Sequence, residues 1–232
     1  TDVGFQPDWV WIKNRSGVTA SNNVYDSVRG ANKFLKTNTA DDENTSHSDL
    51  LQSFDSSGFT LGADASQEIC NKDNDTYVAW CWKAGGAASG NTDGGITSSV
   101  SAASHGGFSV GTYSGTGSAS TVGHGLSRKP SWIIVKMRSG AGAQTWTTWQ
   151  EDIFAGNNAA YIILNLSDAS TSGASFSSTE PTNEIYSVGN DATNQSSSTY
   201  VFYAFAKTPG LIASGSYTGN GSADGPFVQV ND

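Results

Sequence analysis

The chain is short of charge, of cysteine and of long apolar runs, and each shortage closes off a class of protein. Only 14% of its 232 residues are charged, so the surface must be coated mainly by Ser, Thr, Asn and Gly. Such a coat suits strands and turns and fits long helices poorly. The charges divide into 21 acidic and 12 basic residues, a net charge of −9. An acidic surface repels phosphate backbones and no Lys/Arg stripe interrupts it, so nucleic acid is not an expected partner. No apolar run approaches the roughly 20 residues of a membrane-spanning helix, so membrane insertion is not expected either. Thr1-Asp2-Val3-Gly4 is no signal peptide and reads as a cut through a longer pattern.

Metal ligands and nucleophiles are equally sparse. His47, His105 and His124 lie in polar or Gly-rich stretches, with no His or Cys at metal-ligand spacing, which argues against zinc. Cys70 sits in a polar loop and Cys81 in an aromatic strand. A disulfide between them is open, but Cys81 also suits a small core position as a free thiol. Asn71-Lys72-Asp73-Asn74-Asp75 alternates oxygen ligands, making Asp73 and Asp75 the calcium candidates, though the Gly and distal Glu of an EF-hand loop are missing. No other cofactor is expected. Ser127 and Ser175 lack the second Gly of a nucleophile elbow. Gly115-Thr116-Gly117 and Gly219-Asn220-Gly221 lack the third Gly or Lys-Ser/Thr of a phosphate loop, so they read as strand-end turns. The acid groups Asp41-Asp42-Glu43, Glu151-Asp152 and Glu180/Glu184 all lie in polar segments, without the desolvating aromatic setting that raises a catalytic carboxyl. Catalysis is therefore not expected.

What the chain does have is aromatic residues, 7 Trp, 8 Tyr and 10 Phe, which bury large areas from few positions. They are organised by a duplication. Pro7-Asp8-Trp9-Val10-Trp11-Ile12-Lys13 is answered by Pro130-Ser131-Trp132-Ile133-Ile134-Val135-Lys136. At the same separation, Tyr77-Val78-Ala79-Trp80-Cys81-Trp82 is answered by Tyr200-Val201-Phe202-Tyr203-Ala204-Phe205. A third element, Tyr113-Ser114-Gly115-Thr116-Gly117, is answered by Tyr217-Thr218-Gly219-Asn220-Gly221. In the first motif Trp9, Trp11 and Lys13 share one strand face and Val10 and Ile12 the other, as expected for a strand covered on both sides. Phe54 to Leu61, with Asp55-Ser56-Ser57-Gly58 between two apolar arms, reads as a hairpin.

These signals predict an all-β protein of two tandem β-sandwich units plus a C-terminal strand. The first unit spans 1–90 and a Gly/Ser-rich linker spans 91–106, part of which could still pair as a strand. The second unit spans 107–211, and 212–232 begins a further repeat or forms an exchanged strand. The first unit lacks a Tyr-x-Gly-x-Gly strand of its own, while the chain ends with an extra one. Either the chain is excised from a longer array, or that strand completes the open unit in the same chain or a neighbour. Trp pairs suggest a carbohydrate platform, yet the copies exchange Trp for Tyr, Phe or Ile, which packing positions tolerate. That assigns Trp9, Trp11, Trp80 and Trp82 to the core and leaves Trp146 and Trp149, in a variable polar segment, as the ligand-binding candidates.

Gly4-Phe5-Gln6-Pro7-Asp8-Trp9-Val10-Trp11-Ile12-Lys13-Asn14-Arg15, Tyr25-Asp26-Ser27-Val28-Arg29-Gly30-Ala31, the 54–62 hairpin, Tyr77 to Gly86 and Ser216 to Phe227 together resemble a repeat domain of uncharacterised function common in marine and cyanobacterial tailed-phage proteins. The resemblance covers nearly the whole chain and departs most over 144–199. It implies a virion structural protein with a jelly-roll or concanavalin-like sandwich in each unit, and supplies no catalytic residues. The expected function is a tail-fibre or appendage adhesin on the virion surface, trimeric by analogy only. Its partners would be other virion proteins and a host-surface glycan or protein. The alternatives are a capsid-decorating or assembly protein without a host ligand and, third, a carbohydrate depolymerase.

Overall fold

In the computed structural model the described residues are 2–16, 20–65, 69–140, 145–153 and 159–229. They form strands and no helix. The strands are β1 (Trp9–Asn14), β2 (Asn23–Asp26), β3 (Leu35–Lys36), β4 (Leu51–Asp55), β5 (Gly58–Leu61), β6 (Tyr77–Trp82), β7 (Ser89–Asn91) and β8 (Ser98–Ala102). There follow β9 (Phe108–Ser114), β10 (Ser120–Gly123), β11 (Trp132–Ser139), β12 (Thr147–Gln150), β13 (Ala160–Ile163), β14 (Thr171–Ser172), β15 (Ile185–Val188) and β16 (Thr199–Phe205). The chain is all-β with antiparallel sheets in a β-sandwich architecture.

A four-stranded sheet runs β3-β2-β1-β6 and an eight-stranded sheet runs β14-β13-β12-β11-β16-β9-β8-β7. The duplicated motifs take the same place in each. β1 lies between β2 and β6, and β11 lies between β12 and β16. Even the register agrees: Trp9 faces Trp82 and Trp11 faces Trp80, while Trp132 faces Phe205 and Ile134 faces Tyr203. Each sheet also carries a two-stranded ribbon, the hairpin β4–β5 over the first and β10–β15 over the second.

Strand alternation then sorts the apolar residues into three cores. Val10, Ile12 and Tyr25 face Leu50, Leu51 and Phe59 of the hairpin region. Ile133, Val135, Phe202 and Trp149 face Val122, Tyr186 and Val188 of the second ribbon. The third core lies between the two sheets, where Trp9, Val24 and Leu35 meet Ile134, Trp146, Val201 and Tyr203. The sandwiches are thus stacked sheet to sheet. Central strands are apolar on both faces because both faces are covered, as the pattern of the first motif predicts.

Residues 91–106 do not behave as a linker. They contain β8 and, at Asn91, the end of β7, and β8 pairs with β9 along its whole length. Small residues are needed there for close packing: a Cβ on Gly94 would stand 2.6 Å from the Thr121 carbonyl oxygen. A composition chosen for close approach looks like a flexible one when read alone. Of the strand expected at 212–232, the described residues 213–229 are likewise not paired in their own chain. Past a turn closed by Thr208 and Ile212, residues 213–229 form no strand, and every residue from Gly215 to Gln229 is exposed. In the second unit the Tyr-x-Gly-x-Gly strand is β9, which pairs with β16.

An ionic joint locks the two sheets together. Arg29 is fully buried; its Nε binds Asp26, its Nη1 donates to Glu43 Oε2 at 2.9 Å and its Nη2 to the Val24 carbonyl at 3.0 Å. Tyr203 of β16 donates to Asp26 Oδ2 at 2.8 Å. Glu43 in turn accepts two bonds from Arg138 of β11, at 3.0 and 2.9 Å. Burial works against the Arg29 charge, but Asp26, Tyr203 and Glu43 outweigh it and raise its pKa. Glu43 is lowered despite its burial, because Arg138 and Arg29 hold the ionised form. The acidic stretch 38–48, a surface loop by composition, is therefore a strap. Lys136 pins it by donating to the carbonyls of Ala40 and Asp41, at 3.3 and 2.8 Å.

Candidate functional site

A cavity of about 460 Å³ opens between the two sheets. That volume lies within the range of about 300–1,000 Å³ usual for small-molecule sites. Its walls are Trp9 and Trp11 from β1, Trp132 and Ile134 from β11, and Trp146 just before β12. The two copies of the duplicated motif thus face each other across one space, each giving its first and third strand residues. The rim is polar and uncharged, with Asn22, Thr37, Asn38, Asn165 and Ser167, joined by Leu164 and Leu166. Both leucines are exposed.

The walls are held by packing and by hydrogen bonds. Trp9 stacks on Tyr203 at 4.7 Å between ring centroids, and Trp132 stacks on Phe205 at 4.6 Å. Trp11 leans on Trp80 at 5.4 Å. Trp146 is fixed across the gap: its indole Nε1 donates to the Lys36 carbonyl at 2.9 Å, and its amide donates to Asn165 Oδ1 at 2.9 Å. The indole N–H groups of Trp9 and Trp11 are buried without a hydrogen-bond partner. A buried donor left unsatisfied costs about 1–3 kcal/mol. Among the described residues no lining side chain is ionisable, so these walls can stack on and hydrogen-bond to a neutral polar molecule.

The ligand-binding candidates read from the sequence separate here. Trp146 lines the cavity, although only 1% exposed. Trp149 does not; it points to the other side of β12 and is packed with Phe176 and Tyr186 in the core under the second ribbon. Neither is the exposed surface tryptophan expected. The segment is polar by composition, yet Thr147 to Gln150 are all buried because β12 runs between β11 and β13. Trp9 and Trp11, assigned to packing, do pack in the inter-sheet core and in addition line the cavity. The available signal was the coincidence of Trp9 and Trp132 in the two copies, which topology turns into opposing walls.

The calcium candidates do not converge. Asp75 Oδ2 accepts from Asn14 Nδ2 at 2.7 Å, and Asp73 Oδ2 accepts from its neighbour Asn74 at 2.8 Å. Among the described residues no three His, Cys, Asp or Glu side chains gather as a metal site. Cys70 is buried, Cys81 half-buried, and both are free thiols. Burial raises both pKa values, aided at Cys70 by Asp64. His124, placed by sequence in a Gly-rich stretch, is fully buried at the end of β10 in the second ribbon.

Fold and cavity define a double β-sandwich with an aromatic inter-sheet pocket. The chain belongs to a family known as a domain of unknown function, DUF7483, whose model matches residues 1–231. No curated protein and no solved structure matches it.

Proposed function

We propose that the protein is a non-catalytic attachment module of a tailed-phage appendage, displayed on the virion surface, and that the inter-sheet cavity takes a neutral sugar unit of a host glycan. The observation that carries the reading is the cavity itself. Indole faces stack on the apolar faces of sugar rings, while the asparagine amides of the rim suit hydroxyl groups. The acidic, Ser/Thr/Asn-rich coat suits an extracellular surface that stays soluble. The phage setting rests on the sequence resemblance alone. A depolymerase would need two carboxylates near the bound sugar, and the lining offers none.

The test is binding of the purified protein to host cells and to a panel of their surface saccharides, together with competition against phage adsorption. Binding is expected, with Trp11→Ala weakening it about tenfold through lost stacking. Trp149→Ala, in a different core, should alter affinity only as far as it unfolds the protein. Equal affinity in wild type and Trp11→Ala would remove the cavity from the binding site. No binding by the folded protein would favour a decorating or assembly role.

A further inference from the structure

Resting on the sugar reading above, we propose that the unit held in the cavity is an N-acetylated hexosamine, its acetamido group recognised by Asn165 between Leu164 and Leu166. These three residues follow β13, and all of them line the cavity. Trp146 ties this lip to the wall by two bonds. Its amide donates to Asn165 Oδ1 at 2.9 Å, and its carbonyl accepts from the Leu164 amide at 3.0 Å. The Leu166 amide closes the turn by donating to the Ile163 carbonyl at 3.3 Å. Lip and wall are therefore held in one fixed relation.

The tie to Trp146 decides which end of the Asn165 amide is left for a ligand. A backbone N–H can donate only to the oxygen of a primary amide, so Oδ1 is spent on Trp146 and Nδ2 is the free end. Among the described residues Asn165 Nδ2 has no hydrogen-bond partner. Asn38, which follows β3 on the other side of the rim, repeats the arrangement, its Oδ1 accepting the Asn22 amide at 3.2 Å. Both amides thus offer donors, their acceptors being occupied. A sugar hydroxyl can answer a donor but brings a proton of its own to place, whereas a carbonyl oxygen only accepts.

The leucines supply the other half of the match. Leu164 is 44% exposed and Leu166 47%, so the residues on either side of this donor present apolar surface to water. An N-acetyl group carries a carbonyl oxygen and a methyl on one carbon. A donor flanked by apolar side chains suits that pair, whereas a plain hydroxyl offers nothing to the leucines. The group is also neutral, in keeping with the uncharged lining formed by the described residues.

Calorimetric titration of the purified protein with the methyl glycosides of N-acetylglucosamine, N-acetylgalactosamine, glucose and galactose tests it. One buried methyl and one added hydrogen bond should favour each acetamido sugar over its parent hexose by about tenfold. Asn165→Asp is the informative variant. Its carboxylate still accepts the Trp146 amide, while the outward atom changes from donor to acceptor. It should lose the acetamido preference and keep the wild-type affinity for the plain hexoses. Hexoses bound as tightly as their acetamido counterparts, or a preference that survives Asn165→Asp, would overturn the proposal and leave the sugar site standing. Binding of none of the four by the folded protein would overturn it too, and the wider saccharide panel then decides the sugar reading by itself.

Discussion

Replacing Arg29 by alanine is expected to destabilise the protein by about 3–5 kcal/mol, the usual consequence of removing one partner from a buried ion pair. Arg29 has no exposed side-chain surface, and its loss leaves Asp26 without a compensating charge and Glu43 with Arg138 alone. Arg29→Lys should recover little, because a single ammonium cannot reach Asp26, Glu43 and the Val24 carbonyl together as the guanidinium does. Urea unfolding measures the effect. If uncompensated charge is the cause, adding Asp26→Asn and Glu43→Gln to Arg29→Ala should restore part of the loss. An Arg29→Ala midpoint near that of wild type would show that the joint holds the sheets only weakly. So large an effect at one side chain arises because the charge it compensates is buried beside the core shared by the two sheets.

Acid is expected to weaken the fold well above the range where carboxylates titrate, and His124 is the reason. The imidazole is fully buried. Its Nδ1 accepts the Leu126 amide at 3.2 Å, while Nε2 faces the Thr182 carbonyl at 3.3 Å, so the neutral ring satisfies both. Burial lowers its pKa from 6.5 to about 4. Between those values the unfolded chain binds a proton that the folded chain does not, so stability rises with pH across that interval. It is complete above about pH 6.5 and shrinks on acidification, by about 2 kcal/mol at pH 5 and about 3 kcal/mol at pH 4. Denaturant curves between pH 7 and 5 should show the fall, and His124→Gln should flatten it whatever its absolute stability. An equal fall in both proteins would place the acid sensitivity elsewhere.

Lys136 works in the opposite pH range. Burial lowers its pKa from 10.5 to about 8, against the pull of Asp42 and Asp41. Above pH 8 the folded protein sheds a proton that the unfolded chain keeps, so this residue favours the fold increasingly up to about pH 10.5. Lys136→Met should remove that alkaline gain.

The strand content, the hairpin and the alternation of the two aromatic motifs were legible in the sequence. Period-two patterning and turn chemistry act locally, so Val10 and Ile12 declare their face without knowing what covers it. The repeated spacing of Trp9 with Trp82 and of Trp132 with Phe205 likewise anticipates a shared register. Residues 98–102 were harder, because Ser and Ala chosen for tight packing carry the composition of a linker. Trp149 was harder still, since burial of β12 depends on strands on both of its sides, neither of them adjacent to its polar neighbours in composition.

By itself, then, the sequence determined an all-β chain carrying duplicated strand motifs, because those properties reside in local pattern and in internal likeness. Tertiary structure decided that the units stack sheet to sheet. That stacking turns Trp9 and Trp132 into opposing walls and makes Glu43 a buried strap to Arg138. Each of these depends on which surfaces meet, and contacts between residues about a hundred positions apart leave no periodic trace along the chain.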